Sequence, residues 1–434
     1  MRSFTGETAA TRSFRWLWAG AGAANLGDGV MLTAMPLVAL AAGASPGEIA
    51  LVATVATIAW PLFGLHAGWI VDRIAAPRLL MSVNAVRMLA FAGLAAVILF
   101  DGPVVTAVLA AAFVYGVAET LVDTSLVAAV PTIVPGGALT GANARLEATV
   151  NVANQLVGPP LAGWLVGVSA ALSAATGSAL YALAGLAAIG LATGWQRARS
   201  RIAAAAEAVA ATGGGAGATS AVPTGRVRDG IVFLWRHPLQ RSLTVLTAAM
   251  NLVWGMWLAV FVVHAVAPGP LGLSPAGYGW LLTAMAAGGI GASMVTSALQ
   301  RRLGDGVLLF ADCLGTIALV APSALGAPVW VVAAGVVAAG AGSSVWRIVV
   351  AVIRQQTTPA DLIGRVYAAS RVISWGALPL GSALAGAGAA AFGVQAVFLA
   401  ATAVALIATA GYVVVWRARL AGRATSAEAS GSDL

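Results

Sequence analysis

The 434-residue chain has no lysine, one cysteine and three histidines, and only 9% of its residues are charged. Each scarcity excludes something. A soluble globular domain carries about 25% charged residues, so in water this chain would expose apolar patches large enough to aggregate. Cys313 has no second cysteine to pair with, so no intrachain disulfide holds the fold. His66, His237 and His264 are too scattered in sequence for a metal site or a catalytic pair, and neither a metal nor another cofactor is expected. No Walker-type glycine-rich phosphate loop is present, which argues against ATP drive. Every basic residue is arginine. The net charge of +8 comes without a basic stretch interleaved with aromatics on a soluble module, so nucleic acid is not an expected partner.

What is present is hydrocarbon. The chain is 60% hydrophobic, with a mean hydropathy of +0.92. Apolar runs of about 20 residues span a bilayer core of ~30 Å, and lipid as solvent removes the conflict with water. Glycine, proline and polar breaks predict twelve helices, near 14–41, 48–70, 79–100, 104–127, 141–165, 174–195, 239–263, 276–299, 306–325, 329–352, 363–388 and 393–416. The first apolar stretch follows Arg2, Arg12 and Arg15 without a cleavable-signal pattern and reads as the first helix. Residues 196–238 hold arginines around an Ala/Gly/Thr-rich tract and read as a flexible linker. The expectation is an all-α membrane protein with an N-terminal six-helix bundle (1–195), a cytoplasmic linker (196–238), a C-terminal six-helix bundle (239–416) and a cytoplasmic tail (417–434).

Arginine placement orients the chain. With the N-terminus in the cytoplasm, the connections near 42–47, 101–103, 166–173, 264–275, 326–328 and 389–392 fall outside and contain no arginine. Arg73, Arg78, Arg301, Arg302, Arg354, Arg417 and the linker arginines fall inside. Adding or removing one helix would spoil this pattern. Both termini are therefore expected in the cytoplasm and the protein in the cell membrane. The halves also echo each other in order. Asn25 and Gly29 match Asn251 and Gly255; Ser45-Pro46 matches Ser274-Pro275; Gly141 and Gly163 match Gly364 and Gly386. Parallel six-helix repeats of this kind occur in transporters.

After the second predicted helix comes Gly68-Trp69-Ile70-Val71-Asp72-Arg73-Ile74-Ala75-Ala76-Pro77-Arg78. This resembles the loop signature of the major facilitator superfamily. Gly68, Asp72 and Arg73 match; Ala75 and Ala76 depart from it, and Arg78 lies one place beyond the usual second base. In that family the cluster latches the cytoplasmic side of the outward-facing state. Asn154-Gln155-Leu156-Val157-Gly158-Pro159-Pro160-Leu161-Ala162-Gly163 resembles the family's antiporter signature, with Ala162 replacing a glycine. Small residues such as Gly158 and Gly163 allow close helix packing, and Pro159 removes a backbone donor. Gly364-Arg365-Val366 and Leu378-Pro379-Leu380-Gly381 resemble the macrolide-efflux and enterobactin-exporter-like subgroup. The resemblance implies two bundles around a cavity that opens alternately to each side.

Charge inside a membrane costs roughly 2.5–3.5 kcal/mol at the centre on insertion scales, so such residues face a cavity or a partner. Asp28 lies near the middle of the first helix. It is expected to bind a proton and a cationic or polar part of a substrate; the bland alternative is a carboxylate that only bonds neighbouring groups at a kink made by Gly27 and Gly29. Glu119 and Asp123, four residues apart, share a helix face. With Arg73, Arg87, Arg145 and Glu147 they are expected to form a cytoplasmic gate, Asp123 pairing with the Asp72–Arg73 loop. Asp312, Arg347 and Arg371 are grouped as the second-half gate, with Arg371 also a candidate for an anionic substrate group. Asn25, Asn151, Asn154, Gln155 and Asn251 either bond across helices or line the cavity. Trp254 and other tryptophans either wall a pocket or pack. The reading is proton-coupled export of a hydrophobic or amphipathic small molecule (a drug, antibiotic or siderophore) by a monomer in the lipid bilayer. A nutrient importer or a lysophospholipid transporter would share the fold. A membrane-embedded enzyme would need a convergent catalytic set, and none is found.

Overall fold

The computed structural model describes residues 4–211, 227–360 and 362–431. Residues 212–226 of the predicted linker and 432–434 of the predicted tail lie outside them. Thirteen α-helices follow in order: α1 (Phe4–Ala41), α2 (Pro46–Arg73), α3 (Ala76–Leu99), α4 (Val104–Ile133), α5 (Leu139–Val150), α6 (Gly158–Val168), α7 (Ala170–Ala211), α8 (Val227–Arg236), α9 (Pro238–Ala265), α10 (Pro275–Ala324), α11 (Val329–Thr357), α12 (Ile363–Phe392) and α13 (Val394–Gly431). Ten helices among the described residues are long and apolar enough to cross a bilayer. Two features bring the number of membrane rods to twelve. α10 contains two helices that meet at Gly304, whose φ of 76° breaks the helical path. α5 and α6 are joined by a π turn at Asn151–Val157 into one rod.

The π turn has a local cause. Pro159 and Pro160 open α6 and have no N–H to give to the turn before them. The Gly158 N–H bonds back to the Ala153 carbonyl, a five-residue reach. Proline therefore widens the rod by one residue here, and the helix continues where a break was possible.

Serine starts two of the rods. At the head of α2 the Ser45 N–H and hydroxyl donate to Glu48, at 2.8 and 2.7 Å, and the Glu48 N–H lies 3.3 Å from the Ser45 hydroxyl. This reciprocal pairing is a capping box. At the head of α10 the Gly277 N–H donates to Ser274 Oγ at 3.1 Å.

Two helix ends differ from expectation. α7 runs past 195 to Ala211 and α13 past 416 to Gly431. The added stretches are rich in alanine, the best helix former, and propensity outweighs the polar composition that suggested linker and tail. Residues 227–236, also assigned to the linker, form α8.

Contacts divide the chain into two compact units: residues 1–44, 55–224 and 274–280, and residues 45–54, 225–273 and 281–434. In the first unit α7 packs along α1 and α3, and α1 crosses the α5–α6 rod. Lipid offers no hydrophobic force between helices, so close backbone approach must hold them. A Cβ on Gly158 would lie 2.6 Å from the Gly29 Cα, and one on Gly29 would strike the Asn154 carbonyl. Gly163 lies against Pro275 and Gly279 against Pro159 in the same way. In the second unit α9 packs along α12 and α13. There Gly255 meets the Leu378 carbonyl and Gly381 the Leu252 carbonyl. The spacing that separates Gly163 from Gly386 also separates Gly158 from Gly381, so the halves share this crossing.

A buried charge cluster as the candidate functional site

Asp28 sits in α1 between two glycines, and each brings in a neighbour. Gly27 lets the Tyr181 ring of α7 approach within 3.0 Å of where a Cβ would be, and Gly29 admits the α5–α6 rod. Asp28 is buried. The Tyr181 hydroxyl donates to Asp28 Oδ1 at 2.9 Å. The Nη1 of Arg87, from α3, lies 3.0 Å from the same oxygen.

Arg87 is fully buried. Its guanidinium carbon stands 5.0 Å from the Tyr181 ring centre and 5.6 Å from that of Tyr115, on α4. Phe91 stacks on Tyr181 at 5.5 Å, and the Ser178 hydroxyl donates to the Met88 carbonyl at 2.8 Å, fixing α7 against α3. Two aromatic faces and a carboxylate thus offset part of the cost of removing the cation from water. Arg87 Nε and Nη2 find no protein acceptor among the described residues. Glu119, one helical turn from Tyr115, is within Coulombic range of both Arg87 and Asp28.

This corrects the expected gate. Arg87 pairs with Asp28 and not with the cytoplasmic groups, because it lies about 16 Å along α3 from Ala76 at 1.5 Å per residue, halfway through the helix. Arg73 folds back on its own helix. It sits 3.9 Å over the Trp69 ring and donates to the Trp69 carbonyl, so the expected pair with Asp123 is not formed. Asp72, Arg78, Asp123 and Arg145 are exposed and Gly68 is half-buried.

The other expected site residues are spread over both units. The Asn25 amide donates to the Ala21 carbonyl of its own helix at 2.9 Å. Gln155 donates to Asn151 at 3.2 Å, and Asn151 to Glu147 at 3.3 Å, a polar ladder along one face of the α5 rod and through the π turn. Asn154 meets Gly29 through its backbone. In the second unit the Asn251 amide reaches the Ser374 carbonyl at 2.7 Å, joining α9 to α12. Trp254 packs edge-on to Trp257 at 6.0 Å. Arg371 is exposed, 5.7 Å from the Trp375 ring centre. Arg347 is also exposed, whereas Asp312, grouped with both, is buried with Oδ1 beside Gly342. Tyr181 and Tyr115 were not singled out from sequence. The signal was available: the chain has only five tyrosines, and a phenol in an apolar helix needs a polar partner.

A family model described as Major Facilitator Superfamily matches residues 17–373. The chain belongs to the major facilitator superfamily. Among solved structures, the nucleoside transporter NupG is similar at 11% identity and a TM-score of 0.71, over 93% of this chain and 99% of that one. A bacterial homologue of the iron transporter ferroportin, in an inward-facing state, aligns at 15% identity and 0.68, covering 93% and 98%. A D-xylose–proton symporter aligns at 12% and 0.65, covering 92% and 96%. No curated protein matches. As a member of this superfamily the protein is a multi-pass membrane transporter of small molecules.

Proposed function

We propose that the protein is a proton-coupled exporter of hydrophobic or amphipathic small molecules, seated in the cell membrane with both termini in the cytoplasm. The observation that carries this reading is the Asp28–Arg87 pair, a carboxylate and a guanidinium held together inside one helical bundle. A proton on Asp28 removes the charge that holds Arg87. The guanidinium then needs another acceptor, and Glu119 is the carboxylate in range. Protonation thereby favours a different packing of α1, α3, α4 and α7. A ligand or ion drives transport only by such unequal affinity for two states. A proton-driven neighbour of the same fold, the D-xylose–proton symporter, supports coupling to protons. The antiporter-like segment from Asn154 to Gly163 supports export. Asn151, Gln155 and Trp254 are the candidates for substrate contact, and Asp72, Arg73, Asp123 and Arg145 for a gate in another state of the cycle.

The test is transport in proteoliposomes under an imposed pH gradient, with a small panel of amphipathic compounds. Wild type should move substrate with the gradient, and Asp28→Asn should not. The double variant Asp28→Asn/Arg87→Met restores charge balance without a titratable acid at this position; it should recover stability but not proton drive. Full gradient-driven transport by the double variant would reduce the pair to packing and sink the proposal.

A further inference from the structure

α8 has two different sides. One is anchored to α12. Gly230 lies against the backbone and Cβ of Arg365, Leu234 is fully buried with Val366 and Ala369, and Phe233 and Ile373 pack around them. Asp229, the acid of α8, lies 3.8 Å from Arg365. The other side carries Ile231, Val232 and Trp235, exposed by 39%, 37% and 46%. At 100° per residue these three share one arc, with Arg228 inside it and Arg236 at its edge. Both arginines are exposed, as is Arg241 just beyond.

The level of α8 is set by the chain. Only His237 separates it from α9, a bilayer-length helix, and its partner on α12 is that helix's first turns. α8 therefore lies where the hydrocarbon ends. A face turned to water would not collect tryptophan, isoleucine and valine, and a face turned to the core would not hold two arginines. Tryptophan with aliphatic residues and arginine suits the headgroup region. With Asp229 paired to Arg365, the exposed arc is positive, and guanidinium groups bind phosphate well.

We propose that α8 is an interfacial helix whose exposed arc binds anionic phospholipid headgroups, fixing the inner end of α12 to the membrane surface. The test uses the full chain in nanodiscs of phosphatidylcholine alone or with added phosphatidylglycerol, with hydrogen exchange at residues 228–236 and native mass spectrometry of retained lipid. Phosphatidylglycerol should slow exchange in α8. Each arginine near an anionic surface contributes enough for about a fivefold change in affinity. Arg228→Gln/Arg236→Gln should therefore lower the preference for phosphatidylglycerol by more than tenfold at an unchanged thermal midpoint. Trp235→Ser should speed α8 exchange in both lipids. Unchanged lipid preference in the double variant, or α8 exchange indifferent to lipid composition, overturns the proposal. So does equal protection by inorganic phosphate in detergent, which would mark a soluble-anion site instead.

Discussion

Breaking the Asp28–Arg87 pair from either side should have unequal costs. Removing one partner of a buried ion pair typically costs about 3–5 kcal/mol, because the other charge is left without compensation. In Arg87→Met the stranded group is Asp28, which keeps the Tyr181 hydroxyl at 2.9 Å and can shed its charge by taking up a proton. That escape puts the cost at the low end, about 3 kcal/mol. In Asp28→Asn the stranded group is Arg87, fully buried, and arginine stays protonated in proteins. The cost should reach the high end, about 5 kcal/mol. In the double variant no charge remains at either position. Met fits the slot between the Tyr181 and Tyr115 rings, a favourable sulfur–aromatic setting, and Asn keeps a side-chain acceptor for Tyr181. The double variant should be more stable than either single one. The assay is denaturant unfolding of the detergent-solubilised protein, followed by tryptophan fluorescence and circular dichroism, as a double-mutant cycle. Additive losses would refute the reasoning, and so would Arg87→Met costing more than Asp28→Asn.

Three further outcomes follow from packing. Gly158→Val should lower folded yield and cost about 1–3 kcal/mol or more, because the clash is with the Gly29 backbone and nothing flexible can yield; size-exclusion yield and thermal midpoint check it. Gly68→Ala should leave the thermal midpoint unchanged or raised, since its Cβ would meet open space and alanine favours a helix; a clear fall would show that Gly68 has a contact the structure lacks. Gly342→Ala should destabilise by about 1–3 kcal/mol, because the new methyl would lie 2.6 Å from Asp312 Oδ1. Asp312→Ala should relieve only part of that loss, because the Asp312 Cα would still lie 2.9 Å from the methyl; full recovery of the midpoint in the double variant would show that the main chain yields there.

The rods were legible in the sequence because length and apolarity are local properties. So were the serine starts of α2 and α10, since a cap is read within four residues. The close crossings at Gly158 and Gly163 were legible only as small residues in a partly matching signature; which backbone each would meet was not. The pairing of Asp28 was missed for a different reason. Depth along a helix can be counted, and counting from Ala76 puts Arg87 at mid-helix. The expectation began that helix at 79 and placed Arg87 at the depth of Arg73, Arg145 and Glu147, towards the cytoplasmic end. Nothing local says that α1, α3 and α7 share an interior, so Tyr181, far along the chain from Asp28, could not be assigned to it. The Arg73–Asp123 pair failed because a flexible arginine at a helix end has a nearer aromatic face in Trp69.

The two halves repeat their packing but not their charges. Gly29 and Gly158 in one, Gly255 and Gly381 in the other, bring α1 to the α5–α6 rod and α9 to α12. A side chain at any of these points would strike main chain, so a duplicated bundle must keep them to keep the crossing. Asn25 and Asn251 sit at the same register, and three residues later one half has Asp28 and the other Trp254. Asp28 draws in Arg87 and Tyr181. Trp254 instead extends an aromatic stack through Trp257 to Phe261, whose rings lie 4.4 Å apart. Substitution at that position changes what the crossing presents without touching the glycines that form it. A buried ion pair thereby stands at this crossing in one half and an aromatic stack in the other, on a backbone contact common to both.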